Sequence, residues 1–478
     1  MPVSFKNAVK KLIHAHVADE VEEAPANERQ ELDVRIKATE IECVPIGQLK
    51  PNPRNAKKHP SRQIALLVEN YEQFGVTQPI VVDEDGTIIC GHARFEAAQE
   101  AKLNHLPVVR LSGLTTAQKR ALAIADNKLA ELGEWDMEIL SEELSFLFDP
   151  ETELTFDPRV IGFETVELDQ ILGDDHDCDR ADPDDEIAPL NSQEQAVTKS
   201  GDVWICDHHR LVCGDATKND SYAAVMETDL AEIVFTDPPY NVPNAGHVSG
   251  RDGVREFAMA HGEMTPSQFT DFLSLVFASI LTRLVAGAVG YFCMDWRHQL
   301  ELQAAADPIF GKPKNLIVWV KSNAGMGSFY RSQHELIYVY AAQGRQINNF
   351  GLGGKGRYRT NVWKYPGFNS FGRGRDEALA MHPTVKPVAM VVDALMDCSN
   401  RDGIVLDPFG GSGTTMIAAE RARRRARLIE IDPLYCDLIV QRWQTISRKI
   451  ARLGNTNETF DEVKLRRTTE NISEGATS

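Results

Sequence analysis

The 478-residue chain predicts a doubly wound α/β sheet with a smaller α+β unit ahead of it. Three observations carry this expectation. From about Gly201 onward, short apolar runs alternate with helical stretches, the pattern of strands joined by covering helices. Within that region Ile404-Val405-Leu406 leads into Asp407-Pro408-Phe409-Gly410-Gly411-Ser412-Gly413-Thr414-Thr415. This reads as a buried strand, then glycines that let backbone approach a ligand, then a helix whose N-terminus faces it. Upstream, Gln78–Asp83 and Thr87–Cys90 flank an Asp85-Gly86 turn, a strand pair belonging to a separate unit.

Residues 1–40 form an N-terminal extension without readable chemistry, and the first unit spans 41–135. After its strand pair, Gly91-His92-Ala93-Arg94 opens an amphipathic helix through Lys102. Further helices are expected after Thr115-Thr116, which suit an N-cap, and around Asp136–Phe148. Residues 136–200 then comprise that helical segment and an acidic linker, with eleven acids against Arg180 between Glu164 and Glu186, a block expected to be solvated. The second domain covers 201–454. Its expected strands are Asp202–Cys206, Arg210–Asp215, Ile233–Phe235, Val289–Met294, Leu316–Val320, Glu335–Tyr340, Ile404–Leu406 and Arg427–Glu430. Helices are expected near Gln268–Leu284, Lys386–Met396 and Thr414–Arg424, with Asp432 and Pro433 suited to the start of another. Residues 455–478 are polar and expected to be disordered.

With 42% hydrophobic residues the chain can build more than one core. It has no long apolar run and no secretory pattern at Met1–Asp19, so no membrane partner is expected and the cytoplasm is the default. Eight cysteines without a C-x-x-C pair argue against zinc and against a disulfide scaffold. No metal is expected. The net charge of −19 is segregated: the acidic block supplies −10, whereas 343–375 carries Arg345, Lys355, Arg357, Arg359, Lys364, Arg373 and Arg375 with no acid. Phe350, Tyr358, Trp363, Tyr365, Phe368 and Phe371 interleave those cations. Cations that hold phosphates and rings that stack on bases make this the candidate DNA-contacting segment.

The chemistry centres on Asp237-Pro238-Pro239-Tyr240, which follows the apolar run Ala231–Thr236. An exocyclic amino group is a poor nucleophile because its lone pair is delocalised into the ring. Asp237 and the Pro238 carbonyl can accept its two N–H bonds and redirect that lone pair, Pro239 stiffens the turn, and Tyr240 can stack on an extruded base. The strand ending at Glu430 places an acid where ribose hydroxyls bind, and the glycine turn lacks the lysine of a phosphate-binding loop.

These motifs, with His382-Pro383-Thr384-Val385-Lys386-Pro387 just ahead of the glycine turn, resemble the β-group of DNA amino-methyltransferases over about Gly201–Gly454. In that group the catalytic motif precedes the cofactor motif, a circularly permuted order of a Rossmann-like methyltransferase sheet. The resemblance implies S-adenosylmethionine as cofactor. Its site would comprise Asp215, Thr384, Lys386, Asp407, Phe409, Gly411, Ser412, Gly413, Thr414 and Glu430. Phe409, Gly411, Gly413 and Thr414 would surround the methionine part, Thr384 and Lys386 its carboxylate, Glu430 the ribose and Asp215 the adenine ring. Asp237 in place of serine favours the N6 amino group of adenine, with cytosine N4 the nearest alternative.

Residues Ile41 to about Lys128 resemble the N-terminal domain of ParB-like proteins through Leu49-Lys50-Pro51-Asn52-Pro53-Arg54-Asn55, Gly91-His92-Ala93-Arg94 and Ala125-Asp126-Asn127-Lys128. That resemblance implies nucleotide or DNA binding at Gly91, His92 and Arg94, although His92 can equally serve as a satisfied helix-start histidine. The leading expectation is a site-specific adenine-N6 methyltransferase of phage or prophage type acting on double-stranded DNA, with a homodimer as the analogy from related methylases. An alternative is a nucleotide-switched DNA-binding protein with an inactive methyltransferase fold. No nuclease motif is evident, so any restriction partner would be another protein.

Overall fold

Short β-branched runs with buried alternating faces build two units. The computed structural model describes residues 40–149, 152, 154, 156–172, 182–185, 187, 195–242, 262–322, 330–351, 357, 359–367 and 385–475. One unit comprises the chain through Trp135 together with 154–162, and the other comprises 136–153 and everything from Phe163 onward.

In the first unit β1 (Glu42–Pro45), α1 (Ser61–Phe74), β2 (Ile80–Val82), β3 (Ile88–Cys90), α2 (His92–Glu100), β4 (His105–Arg110) and α3 (Thr116–Ala130) follow in order. The sheet runs β1-β4-β2-β3. Ile80, Val82, Ile88, Leu106 and Val108 form its core with Phe95 and Ala98 of α2. Gly91 opens α2 at φ +97°, and a Cβ there would lie 2.8 Å from Ile80 Cγ2. Only glycine fits that left-handed, crowded position. Thr115 caps α3 through a reciprocal box with Gln118. Strand β4 escaped the sequence pattern because Pro107 interrupts it, and a proline argues against a strand.

The second unit contains α4 (Met137–Leu147), α5 (Thr165–Leu172), β5 (Val203–Cys206), β6 (His209–Cys213), α6 (Asn219–Met226), β7 (Ala231–Thr236), α7 (Pro266–Leu281), β8 (Leu284–Met294) and α8 (Gln299–Phe310). It continues through β9 (Asn315–Val320), β10 (His334–Ala341), β11 (Val362–Lys364), α9 (Val388–Cys398), β12 (Ile404–Asp407), α10 (Thr414–Arg421), β13 (Arg425–Glu430), α11 (Pro433–Ser447), β14 (Arg452–Leu453) and α12 (Phe460–Gly475). The strand order is β11-β9-β10-β8-β7-β12-β13-β6-β5-β14. Strands β8, β7, β12, β13 and β6 are mutually parallel, and β10 and β5 pair antiparallel at their flanks, making a mixed sheet. Successive side chains point to opposite faces. Ile233, Phe235 and Val405 therefore meet α9, α10 and α11, whereas Val234, Ile404 and Leu406 meet α6, α7 and α8.

Two expectations are corrected here. The acidic block is not a solvated linker throughout, because several of its acids are bound to the second unit. Asp169 on α5 is buried and accepts from Arg424 at 2.8 and 3.0 Å and from Arg401 at 2.8 Å. Asp182 and Asp184 pair with Arg421, and Asp185 accepts the Val388 amide at 2.8 Å. The described part of the C-terminal segment is ordered as well. Phe460 packs on Trp204 with ring centroids 5.4 Å apart, Val463 is buried, and Arg467 pairs with Asp202. Polar composition concealed a helix anchored by two buried apolar residues, Phe460 and Val463.

Removing one partner of a buried pair strands the other charge. Asp169→Ala, leaving Arg424 and Arg401 without their shared carboxylate, is expected to destabilise the second unit by about 3–5 kcal/mol. Denaturant titration checks this, and an unchanged midpoint would contradict the buried triad.

Candidate active site

Strand β12 lies between β7 and β13, while the chain passes from β7 to β8 on one side and from β12 to β13 on the other. The winding thus reverses between β7 and β12. In open α/β sheets, ligands bind outside the carboxyl ends of strands at such a point. Four neighbouring parallel strands also end there in acids: β6 runs on to Asp215, β13 ends at Glu430, β12 ends at Asp407, and β7 runs into Asp237.

Asp407 is buried and fully engaged. It accepts from Thr236 Oγ1 at 2.8 Å, Thr415 Oγ1 at 2.6 Å and the Phe409 amide at 3.1 Å. Glu430 accepts the Gly411 amide at 2.7 Å and the Asp432 amide at 2.9 Å. Burial pushes both carboxyls up to about 7 against the opposing pull of these bonds. Gly413 precedes α10 at φ +84°, where a Cβ would press on Ile439 at 3.0 Å. At Gly411 a Cβ would meet only the Phe409 carbonyl, at 3.9 Å, so the backbone there is open to a ligand. Arg442 braces the turn by donating to the Ser412 carbonyl at 2.9 Å and is itself held by the Asp184 carbonyl. Asp215 is half-buried and accepts from the Thr217 amide at 2.8 Å. A row of acids beside an open glycine turn is a set of acceptors that suits ribose hydroxyls and a cationic ligand.

On the other side of the crevice, Asp237 bonds to Lys386 Nζ through Oδ2 and to the Tyr240 hydroxyl through Oδ1. Lys386 also lies 3.1 Å from the Tyr240 oxygen and 3.1 Å from Glu335 Oε2. Lys321 holds the other oxygen of Glu335. Burial opposes the charge of Lys386, yet the Asp237 and Glu335 carboxylates outweigh it and hold the ammonium well above its usual range. The same burial raises Asp237, partly offset by Lys386, while the two lysines keep Glu335 at about 2. Glu335 and Lys321 were not singled out in the sequence. The available signal was an acid opening an apolar strand and a lysine directly after another.

Of the expected DNA contacts, Lys355, Arg373 and Arg375 lie outside the described residues, as do Thr384, Tyr358, Phe368 and Phe371. Arg357 and Arg359 require correction. They pair with Asp393 and Asp397 of α9 at 2.9–3.1 Å with side chains 14% and 18% exposed, so phosphates cannot reach them as free cations. Trp363 and Tyr365 are buried core residues, not stacking platforms. Arg345 is exposed but sits beside Gly287 near the start of β8, at the end of the sheet opposite Asp237. Lys364 is exposed and pairs in register with Val320, at the same end as Lys321.

In the first unit, His92 is buried and its Nε2 accepts the Asn52 amide at 3.2 Å. Burial lowers its pKa, so the ring is a neutral acceptor holding the Lys50–Asn55 segment. Arg94 donates to the Pro79 carbonyl at 2.6 Å. Both side chains thus hold neighbouring backbone of the unit, the helix-start role that the sequence left open for His92.

Comparison with known proteins bears on both units. Residues 231–441 match the family model described as DNA methylase, and residues 30–128 match the ParB N-terminal domain. The ParB-like nuclease domain-containing protein YnaK of Escherichia coli K12 is 47% identical over 76 residues, covering 16% of this chain and 87% of that protein. Type II methyltransferase M.ScaI of Streptomyces caespitosus is 34% identical over 95 residues, 20% of this chain and 31% of that protein. Among solved structures, the M1.HpyAVI-SAM complex has 17% identity, covers 48% of this chain and 97% of that one, and gives a TM-score of 0.35. The cytosine-N4-specific PvuII DNA methyltransferase has 14% identity, covers 57% and 94%, and gives a TM-score of 0.38. The adenine-N6 expectation is corrected: the one relative among these whose name states a base, the PvuII enzyme, is cytosine-N4-specific. The expectation rested on aspartate at the first motif position, and a carboxylate accepts the N–H of either base's amino group. No helix among the described residues is long and apolar enough to cross a membrane. The chain thus belongs, through its N-terminal residues, to the ParB N-terminal domain family, and carries that domain ahead of a segment matching DNA methylase.

Proposed function

We propose that this protein transfers a methyl group from S-adenosylmethionine to the N4 amino group of cytosine in double-stranded DNA. The observation that carries the reading is the placement of Asp237-Pro238-Pro239-Tyr240 and of the Asp407–Thr415 turn at the carboxyl ends of adjacent strands, where the winding reverses. The catalytic motif precedes the glycine turn in the chain, the circularly permuted order. The cofactor supplies a sulfonium methyl, an activated donor that needs no covalent intermediate on the protein. Glu430 would hold its ribose, Asp215 its adenine ring, and Phe409, Gly411, Ser412, Gly413 and Thr414 its amino-acid part.

An extruded base is read along its Watson–Crick edge. Asp237 and the Pro238 carbonyl accept the two amino hydrogens, which turns the nitrogen lone pair toward the methyl group. Beside that acceptor stands Lys386, a cation bonded to Asp237. An acceptor next to a donor fits cytosine N4 and N3, as it would adenine N6 and N1, and the choice of cytosine follows the cytosine-N4-specific PvuII enzyme. Tyr240 supplies the stacking ring. Positioning dominates the rate, since the donor is already reactive. The DNA duplex would approach the end of the sheet that carries Asp237, Lys321 and Lys364.

The product identifies the reaction. Nucleoside mass spectrometry of DNA from a methylation-deficient host expressing the chain is expected to show N4-methylcytosine, and none with Asp237→Ala. N4-methylcytosine at undiminished level in the variant would contradict the role of Asp237, and its absence with the intact chain would contradict the base.

The cofactor-side acids also set a pH dependence. A carboxyl whose pKa is higher folded than unfolded takes up a proton on folding, so its contribution favours the fold at low pH and is lost as pH rises. For Glu430 the window runs from its ordinary value of 4.5 to about 7. The stability difference between the unliganded protein and Glu430→Gln, from urea midpoints, is therefore expected to move against the native residue across that window. A difference independent of pH would contradict the buried, ligand-free state assigned to Glu430.

A further inference from the structure

Both oxygens of Asp237 are already engaged, Oδ2 by the Lys386 ammonium and Oδ1 by the Tyr240 hydroxyl. The proposed reaction needs those same oxygens for the target amino group. Base entry brings a further donor into competition for Asp237, and a buried donor whose hold on its acceptor weakens is costly where no second acceptor is near, more so when it is charged. Lys386 is only 5% exposed, so water does not readily take the place of its partner.

Glu335 lies where a replacement acceptor is needed. It stands near the start of β10, two strands from β7, and reaches the cluster across β8. Its Oε2 is 3.1 Å from Lys386 Nζ and 3.4 Å from the Tyr240 hydroxyl, the two groups that occupy Asp237. Its Oε1 is fixed by Lys321, whose ammonium lies 4.8 Å from the centroid of the Trp319 ring. The two carboxylates and two ammoniums balance, so the cluster can exchange partners internally without a change in its net charge.

We propose that Glu335 is a positioning residue that takes over Lys386 and the Tyr240 hydroxyl when the amino group of the target base binds Asp237. This rests on the reading of Asp237 as the amino-group acceptor. In the resting state Lys386 bridges the two carboxylates. In the base-bound state it moves toward Glu335, its charge stays paired, and Asp237 is released to accept from the base. With Glu335 made neutral, Lys386 loses its second carboxylate, holds Asp237 more tightly, and the base competes poorly for it. Lys321 acts indirectly, by keeping Glu335 oriented.

The test uses the full chain with S-adenosylmethionine and unmethylated genomic DNA. Glu335→Gln is expected to bind the cofactor with unchanged affinity by calorimetry, measured below the melting transition of the variant. Its maximal rate of methyl transfer should fall roughly 100-fold, the scale of a misplaced reacting group, with Glu335→Asp recovering part of the loss because it restores the charge. Lys321→Met, which leaves the acceptor but frees it, should lose less, and it serves as the second variant if Glu335→Gln does not fold. Wild-type transfer by Glu335→Gln, or by Lys321→Met where that variant is the one measured, overturns the proposal. Failure of the unaltered protein to methylate DNA although it binds the cofactor overturns it together with the reading on which it rests, a result distinct from normal methylation by the variants.

Discussion

A single buried carboxylate fixes the geometry on which both halves of the site depend. Asp407 ends β12, accepts the hydroxyl of Thr236 at the end of β7, and accepts the hydroxyl of Thr415 in the first turn of α10. Burying a carboxyl is unfavourable unless its oxygens are bonded, so these partners are constrained to meet. The consequence is positional. Asp237 immediately follows Thr236, and the glycine turn occupies the few residues between Asp407 and Thr415, so the proposed base acceptor and the proposed cofactor loop are set by one hydrogen-bonded node.

The same constraint recurs wherever acids enter the interior. A formal charge of −19 suggests a surface excess, yet the acids that matter to the second unit are paired inside it. Asp169 neutralises Arg424, Asp393 and Asp397 neutralise Arg357 and Arg359, and Asp237 shares Lys386 with Glu335. Some of these pairs also support the site at a distance. The Asp184 carbonyl holds Arg442, which holds Ser412 in the glycine turn, so a segment of the acidic block braces the cofactor half.

Strands and helices with strong local patterns were legible in the sequence. Every strand anticipated from Gly201 to Glu430 lies within a residue or a few of its place, because each is an apolar run ended by a turn signal. The caps at Thr115 and Asp432 were equally plain. What escaped was set by long-range partners. Nothing local to Arg357 or Arg359 shows that Asp393 and Asp397 lie opposite, so a basic aromatic stretch looked like a DNA surface when part of it is core. Glu335 is nearly a hundred residues from Asp237 in the chain and meets it only because β10 lies beside β8. His92 could be read as a ligand or as an acceptor until Asn52 was placed beside it. The target base escaped as well, since a carboxylate accepts either amino group.

The most direct test of the account is a crystal structure of the protein with a demethylated cofactor product and a short duplex containing its recognition sequence. The account predicts an extruded cytosine with N4 within hydrogen-bond distance of Asp237 and of the Pro238 carbonyl, and the cofactor sulfur on the side of Asp407 and Glu430. A base extruded to another part of the surface, or a cofactor bound away from the ends of β12 and β13, would contradict it.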